Sequence, residues 1–136
     1  MPHIRRVLET ALYCDRLDRT AAFYRQLLGA PLYQSERLVA LDAGEGTVLL
    51  LFQRGLSSRP LATAGGVIPP HDGSGPTHVA FAVDAVELAA WEAQLAAWEI
   101  EIESRVTWER GGRSIYFRDP DGRSVELATP GTWATY

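Results

Sequence analysis

The sequence predicts an α+β fold made of two tandem βαβββ modules. Alternating apolar residues predict strands near 7–13 and 77–83, and each strand is followed by a helical pattern and about three further strands. Between these halves lies a segment with five Gly and four Pro in residues 54–76. The second half therefore repeats the element order of the first after a loop, within one domain that spans 1–136.

The first module covers about residues 5–55. Asp18 is predicted to cap its helix, Gly29 to end it, and Phe23, Leu27 and Leu28 to form its inward face. The module's predicted elements are a strand over 7–13, a helix over 19–28, and strands over 37–42 and 47–53.

The second module covers about residues 77–130. Leu88, Trp91, Leu95 and Trp98 recur at helical spacing and predict an amphipathic helix. The residues 119–122, Asp-Pro-Asp-Gly, predict a tight turn between two paired strands. The module's predicted strands are 77–83, 100–107, 113–118 and 124–128.

Composition and charge exclude several classes of function. The net charge is -4 with a pI of about 5.3, without a basic patch, so no nucleic-acid partner is expected. All 13 basic residues are Arg, which excludes lysine-dependent chemistry. The single cysteine, Cys14, cannot form an intramolecular disulfide, and no apolar run reaches the length of a membrane span. We therefore expect a cytoplasmic protein without a membrane partner.

Three ionisable residues interrupt otherwise apolar strands. They are Glu9 in VLETALY, His78 in THVAFAV and Glu126 in RSVELAT. A charged carboxylate in such a strand is costly unless a cation compensates it. Oxygen and imidazole ligands suit a first-row divalent ion, and three protein ligands leave coordination positions open. An exposed edge-strand glutamate, an interior histidine and a Glu9–Arg113 pair are the structural alternatives.

The chain resembles the vicinal-oxygen-chelate superfamily of glyoxalase I, fosfomycin-resistance proteins, bleomycin-binding proteins and extradiol dioxygenases. The stretches VLETALYCDRLDRTAAFYRQLLG, THVAFAV and SIYFRDPDGRSVELATP carry the resemblance. It implies a curved, partly open mixed β-sheet around a metal and substrate cavity, with helices outside. It also implies one divalent ion (Mn, Ni, Zn, Fe or Mg) held by Glu9, His78 and Glu126. Such chains usually form homodimers, in many of which both chains share each active site.

Two departures from the family pattern narrow the expected chemistry. Glyoxalase-like members take a fourth ligand from the last strand of the first module, and aligning TVLLLF with SVELAT puts Leu49 there. Iron-dependent dioxygenases carry histidine where this chain has Glu9. Glyoxalase I activity and ring cleavage by a dioxygenase are therefore less expected than other reactions of the family.

Further residues are candidates for contact with a substrate. Tyr116 and His71 are the predicted catalytic residues, because a phenol or an imidazole can transfer a proton. Arg113, Asp72 and Trp108 are the predicted substrate-binding residues. The alternatives are an outward-packed tyrosine, an ordinary surface arginine, a polar turn in PPHDGSG and a tryptophan in the core.

Two functions follow from this interpretation. The first is a metal-dependent enzyme with lyase, isomerase or transferase chemistry on a small oxygen-rich molecule, since an open metal stabilises developing negative charge. The second is a metal-free protein that sequesters a small molecule, as bleomycin-resistance relatives do. A metal assay distinguishes them. We also expect the loop 54–76 to cover the cavity, with an anchored far end and a mobile middle.

Overall fold

The computed structural model describes residues 1–136, which divide into two compact units, Met1–Ser74 and Gly75–Tyr136. Each unit builds its main sheet from a strand, a helix and three further strands in that order, the first unit adds a two-stranded hairpin, and the sheets are open. The predicted α+β fold with two βαβββ modules is confirmed. Neither helix is long and apolar enough to cross a membrane.

The first unit builds its main sheet in the strand order β1-β4-β3-β2. β1 and β4 are parallel, whereas β3 pairs antiparallel with both β4 and β2. Apolar residues on alternate positions of these strands form the core, including Leu12, Val39, Leu41, Leu49 and Leu51. The elements of this sheet are β1 (Glu9–Cys14), α1 (Leu17–Leu28), β2 (Tyr33–Gln34), β3 (Leu38–Asp42) and β4 (Val48–Gln53).

Helix α1 differs from its prediction at its start and on its inward face. It begins at Leu17, and Arg16 rather than Asp18 is the N-cap residue. The side chain of Gln53 accepts a hydrogen bond from the Leu17 N–H at 3.0 Å, so the end of β4 caps the helix. Gly29 ends the helix as predicted, with a φ of 89°. The buried residues of the helix are Leu17, Thr20, Ala21 and Tyr24 rather than the predicted trio.

The segment 54–76 contains a small hairpin that sequence analysis did not predict. Its strands are β5 (Leu61–Thr63) and β6 (Gly66–Ile68), which pair with each other and with no other strand. Glycine and proline suppress regular structure over the remainder of the segment. The six strand residues lie between Pro60 and Pro69, and Gly66 is the only glycine or proline among them.

The second unit repeats the topology of the first. Its sheet has the order β7-β10-β9-β8, in which β7 and β10 are parallel and the other pairs are antiparallel. Leu88 and Leu95 are buried, as the helical spacing predicted, whereas Trp91 and Trp98 are partly buried. The elements are β7 (His78–Ala82), a 3₁₀ turn (Ala85–Glu87), α2 (Leu88–Ala97), β8 (Ser104–Thr107), β9 (Arg113–Arg118) and β10 (Ser124–Ala128).

The predicted tight turn joins β9 to β10. The Gly122 N–H donates to the Asp119 carbonyl oxygen at 2.9 Å, and Gly122 has a φ of 80°. The buried Asp119 carboxylate accepts a 2.8 Å hydrogen bond from the Arg123 guanidinium and two more from backbone N–H groups of the turn. A buried ion pair thus fixes the turn, and with it the register that places Tyr116 opposite Glu126.

Candidate active site

The second unit brings two of the three predicted metal ligands together. His78 begins β7, and Glu126 lies at the centre of β10. The parallel pairing sets His78 opposite Ser124 and Glu126 opposite Ala80, so both ionisable side chains stand on the same face of the sheet. The His78 Nε2 and Glu126 Oε2 atoms are 3.2 Å apart.

The hydrogen bond made by the other ring nitrogen of His78, Nδ1, bears on whether Nε2 faces Glu126 with a proton or with a lone pair. The His78 Nδ1 atom is 3.0 Å from the Ser124 carbonyl oxygen, which can only accept a hydrogen bond. Nδ1 therefore carries a proton and donates it, and in the neutral imidazole Nε2 is left with a lone pair. A lone pair and a carboxylate repel each other, so the 3.2 Å contact fits a proton or a metal cation that lies between Nε2 and Oε2. Histidine ligands of metals commonly donate their other N–H to a backbone carbonyl in this way.

Glu126 supplies a second indication that the site fits a cation. Its side chain is only 8% exposed, and its Oε1 atom is buried without any hydrogen-bond partner. A buried carboxylate oxygen that is neither hydrogen-bonded nor paired is costly. Together, the orphan Oε1, Oε2 and the His78 Nε2 atom form a donor set that fits a divalent metal ion.

Tyr116 lies beside this pair. Antiparallel pairing sets Tyr116 opposite Glu126, and its ring stacks on the His78 ring with centroids 6.3 Å apart. Burial raises the pKa of the Tyr116 hydroxyl, the neighbouring Glu126 raises it further, and a hydrogen bond from Ser114 opposes the rise. The net rise keeps the hydroxyl protonated near neutral pH, so that it is a hydrogen-bond donor at the site.

The two other predicted residues of the second unit lie in different places. The Trp108 indole N–H donates to Ser114 Oγ at 2.8 Å, and Ser114 shares the face of Tyr116 by strand alternation. Arg113 stands on the opposite face of β9, where its guanidinium donates to the Ala85 carbonyl oxygen at 3.4 Å. The structure therefore links Trp108 to the Tyr116 face of β9 through Ser114, whereas Arg113 stands on the opposite face.

The third predicted ligand belongs to the first unit. Glu9 begins β1 and is exposed. Strand alternation puts Glu9, Ala11 and Tyr13 on one face, together with Leu50 and Phe52 of the neighbouring β4. No three His, Cys, Asp or Glu side chains of the chain lie close enough together to hold a metal ion.

His71 lies near the C-terminal end of the 54–76 loop and anchors that end to the face of β1 and β4 that carries Glu9 and Tyr13. The Tyr13 hydroxyl and His71 Nδ1 are 2.7 Å apart, and the His71 ring meets the Phe52 ring edge-on at 4.8 Å. A Cβ atom on Gly73 would lie 2.7 Å from the Tyr13 ring, so only glycine fits there. The Asp72 carboxylate accepts from the N–H groups of Gly73 at 3.0 Å and Gly55 at 3.4 Å, and it holds the two ends of the loop together.

The strand registers correct the position of the fourth family ligand. Glu9 lies opposite Val48 in the first unit, as His78 lies opposite Ser124 in the second. Val48 is therefore the equivalent of Ser124, and Leu50, not Leu49, is the equivalent of Glu126. The sequence alignment was one residue out of register because TVLLLF and SVELAT resemble each other most with their first residues matched. Leucine occupies the position equivalent to Glu126 in either alignment. The first unit therefore still lacks the fourth ligand of glyoxalase-like members.

Sequence reasoning missed Ser114, and it named Tyr13 as an aromatic pocket residue without its contact to His71. Ser114 is only 1% exposed, and each of the two residues hydrogen-bonds a predicted site residue. The signal for Ser114 was its place two residues before Tyr116 in a strand, which puts both on one face. Tyr13 lies four residues after Glu9 in β1, which likewise puts these two side chains on one face.

The chain belongs to the Glyoxalase/Bleomycin resistance protein/Dioxygenase superfamily, whose family model matches residues 5–127. This match confirms the resemblance inferred from the sequence. It covers both units, including Glu9, His78 and Glu126.

Individual relatives include two enzymes. A crystal structure of lactoylglutathione lyase from Agrobacterium tumefaciens is 37% identical, with a TM-score of 0.84, covering 96% of this chain and 98% of that chain. The metallothiol transferase FosB of Shouchella clausii is 29% identical over 118 residues, which are 85% of this chain and 73% of that protein. A glyoxalase/bleomycin resistance protein/dioxygenase from Nocardioides, 22% identical with a TM-score of 0.71, covers 98% of this chain and 93% of that chain and shares the fold.

Proposed function

We propose that this protein is a metal-dependent enzyme that holds one divalent ion with Glu9, His78 and Glu126. The ion is Mn, Ni, Zn, Fe or Mg, and the substrate is a small oxygen-rich molecule. The observation that carries the proposal is the buried Oε1 atom of Glu126, which has no hydrogen-bond partner beside a histidine whose Nδ1 donates to a backbone carbonyl. A bound cation would supply Lewis-acid stabilisation of negative charge that develops on a substrate oxygen.

The chain's own residues have distinct parts in this proposal. Tyr116 is the proton donor or oxyanion contact beside the metal ligands, because its hydroxyl stays protonated near neutral pH. Trp108 forms part of the cavity wall. His71, oriented by Tyr13, is the contact from the loop, while Asp72 acts by holding that loop closed. Arg113 has no part here, since it stands on the other face of its strand.

The class of reaction follows from the ligand set and the relatives. Leu50 leaves three protein ligands instead of the four of glyoxalase-like members, which favours transferase chemistry over the isomerisation that glyoxalase I performs. The names of both enzyme relatives refer to a thiol or its derivative: one is a metallothiol transferase and the other is a lactoylglutathione lyase. A low-molecular-weight thiol is therefore the first co-substrate to test.

We further propose a homodimer in which Glu9 of one chain completes the site formed by His78 and Glu126 of the other. Two observations support it: no single chain gathers three ligands, and the His78 and Glu9 side chains are both exposed. Trp133 is 73% exposed near the C-terminus and offers apolar surface for such a contact. The cytoplasm is the expected compartment, because the single cysteine, Cys14, is buried and cannot form an intramolecular disulfide.

A metal-free binding protein is the second candidate. The direct 3.2 Å contact between His78 and Glu126 favours it, because a protonated His78 would neutralise Glu126 without a metal. Under this alternative the same cavity would sequester a ligand and no reaction would follow.

Calorimetric titration of the chelator-treated protein with Mn²⁺, Ni²⁺, Zn²⁺ and Fe²⁺ tests the proposal. We expect about one ion per chain and loss of binding in His78→Ala, because each ligand contributes to a site that exists only in the folded protein. His71→Ala is the matched control: it should retain metal binding. Absence of binding to the unmodified protein would overturn the enzyme proposal in favour of the metal-free binding protein.

A further inference from the structure

Arg37 is a partly buried arginine of the first unit that forms no ion pair. The arginines that pair with Asp or Glu are Arg16, Arg54, Arg105, Arg118 and Arg123. The unpaired arginines are exposed, apart from Arg37 and Arg25. Arg25 donates to the Gln34 side chain, and its Nε atom is buried beyond the reach of a ligand. Arg37 thus carries a charge that is partly removed from water and has no counter-ion, which is costly.

Two contacts hold the Arg37 guanidinium in place. Its Cζ atom lies 5.6 Å from the centroid of the Phe52 ring, a cation–π distance, and its Nη2 atom donates to Ser57 Oγ at 3.2 Å. The Phe52 side chain stands on the face of the sheet that carries Glu9 and Tyr13, so the guanidinium lies at that face. The Nε and Nη1 atoms have no hydrogen-bond partner in the protein and are not buried.

The end of the 54–76 loop is fastened to the same aromatic ring. The Tyr13 ring stacks on the Phe52 ring with centroids 5.9 Å apart, and the His71 ring meets it edge-on at 4.8 Å. The Ser57 carbonyl oxygen accepts from the His71 N–H at 2.9 Å, so the residue that holds Arg37 also holds the loop. Arg37 and His71 therefore both contact the Phe52 ring and both hydrogen-bond Ser57.

The acidic residue of this loop end does not neutralise Arg37. The Asp72 carboxylate accepts from the backbone N–H groups of Gly55 and Gly73 and forms no ion pair with Arg37. The free N–H donors of a guanidinium bind an oxyanion through paired, charge-assisted hydrogen bonds. Carboxylate and phosphate groups both supply the pair of oxygens that such a contact requires.

Arg37 lies at the end of the sheet away from Glu9. The Gln53 N–H donates to the Arg37 carbonyl oxygen at 2.9 Å, which places Arg37 one position beyond the row that contains Tyr13 and Phe52. Glu9 and Tyr13 are about 13 Å apart along β1. An anion at Arg37 and a metal ion at Glu9 would thus contact opposite ends of a bound molecule.

We propose that Arg37 is an anion-binding residue that holds a carboxylate or phosphate group of the bound molecule at the end of the face opposite Glu9. The inference deepens the proposed function and rests on it, since the bound molecule is taken to be the substrate. It adds a negatively charged group to the small oxygen-rich molecule, and it makes Arg37 a residue that determines specificity.

An anion titration of the metal-free protein, followed by NMR, tests this inference. Sodium phosphate and sodium acetate are the probes, and sodium chloride at equal ionic strength and pH controls for screening. The Arg37 Nε–H resonance is assigned by its loss in Arg37→Gln, and the His71 Cε1–H resonance, one of three from histidines, by its loss in His71→Gln. Both should shift to saturation with phosphate or acetate and not with chloride. The anion that binds more tightly identifies the group.

Three variants assign the binding to Arg37. Arg37→Gln should weaken it at least about 10-fold, read from the His71 resonance, because it removes hydrogen bonds between charged groups. Arg19→Gln is the matched control, since it removes the same charge from an exposed arginine of the same unit, and it should bind like the unmodified protein. Arg37→Lys keeps the charge without the planar donors and should bind with intermediate affinity, which keeps the test decisive if Arg37→Gln does not fold.

The outcomes separate this inference from the proposed function. Absence of saturation with both anions, or equal affinities in Arg37→Gln and Arg19→Gln, would overturn the inference. Calorimetry with Mn²⁺ should show unchanged metal binding in Arg37→Gln, because Arg37 is not a proposed ligand. A protein that binds Mn²⁺ but neither anion would keep the proposed function and refute the role of Arg37. Anion binding through Arg37 without any Mn²⁺ binding would support the anion site and refute the metal-dependent enzyme.

Discussion

The two units of the chain place different residues on equivalent strand positions. In the second unit, the residue opposite Ala80 on the parallel neighbour strand is Glu126; in the first, the residue opposite Ala11 is Leu50. The starting residues of the two first strands, Glu9 and His78, are both able to bind a metal. The repeat therefore preserves the backbone pairing at both positions of each unit, while the side chains supply one proposed ligand in the first unit and two in the second.

The turns between the last two strands of each unit also differ. In the second unit, the Asp119–Arg123 pair is buried under the turn, with side chains 0% and 4% exposed. In the first unit the corresponding turn is exposed and contains Glu45 at a φ of 50°. Rigid support under β9 and β10 suits the unit that carries two of the three proposed ligands, because metal ligands must keep their geometry.

The largest expected effect concerns this buried ion pair. Arg123→Ala should lower the free energy of unfolding by about 3–5 kcal/mol, since it removes the cation that faces the buried Asp119 carboxylate. Glu45→Ala, at the exposed turn of the first unit, should change it by only about 0.5 kcal/mol. Urea unfolding followed by circular dichroism measures both. Equal losses of unfolding free energy in the two variants would contradict the claim that a buried ion pair holds the turn of the second unit only.

A smaller effect tests the corrected register of β4. Leu49 is 2% exposed on the core face, whereas Leu50 is partly exposed on the face of Glu9. Leu49→Ala should cost about 2–5 kcal/mol of unfolding free energy, the range for a buried leucine, and Leu50→Ala about 1 kcal/mol. If Leu50→Ala proved the more destabilising variant in the same urea titration, the assignment of Leu50 as the equivalent of Glu126 would fail.

The smallest expected effect concerns the 54–76 loop of the first unit. Its end is held by the Tyr13–His71 contact, while the hairpin strands β5 and β6 are exposed throughout. A non-specific protease such as subtilisin should therefore cut first near 58–64, and a bound metal with a substrate analogue should slow the cut by a few-fold. Cleavage first in the exposed tail 133–136, with no change on ligand binding, would argue against a lid.

The fold was predictable because, in both halves, the spacing of apolar residues and the positions of turn-forming residues indicate the same helices and strands. Alternation identified β1, β7, β9 and β10, and the Asp-Pro-Asp-Gly turn fixed the last hairpin. The start of α1 was missed because its cap comes from Gln53, which is distant in sequence. The hairpin in 54–76 was missed because its strands are only three residues long.

The candidate site was predictable only in part. His78 and Glu126 stood out as ionisable residues in apolar strands, and the structure brings them together. Arg113 was chosen over other arginines without knowledge of which face of β9 it occupies. Strand alternation puts its side chain on the other face of β9 from that of Tyr116. Ser114 carried no charge to draw notice, although its burial and its hydrogen bond connect it to the site.

The most direct test of the central claim is the metal content of protein purified without chelator, measured together with its mass by light scattering. The account predicts about one divalent ion per chain in a particle of twice 15.0 kDa. Glu126→Gln should lose the ion, and Leu50→Ala, its equivalent in the first unit, should keep it. A metal-free monomer, or a Glu126→Gln variant that retains its full metal content, would contradict the account.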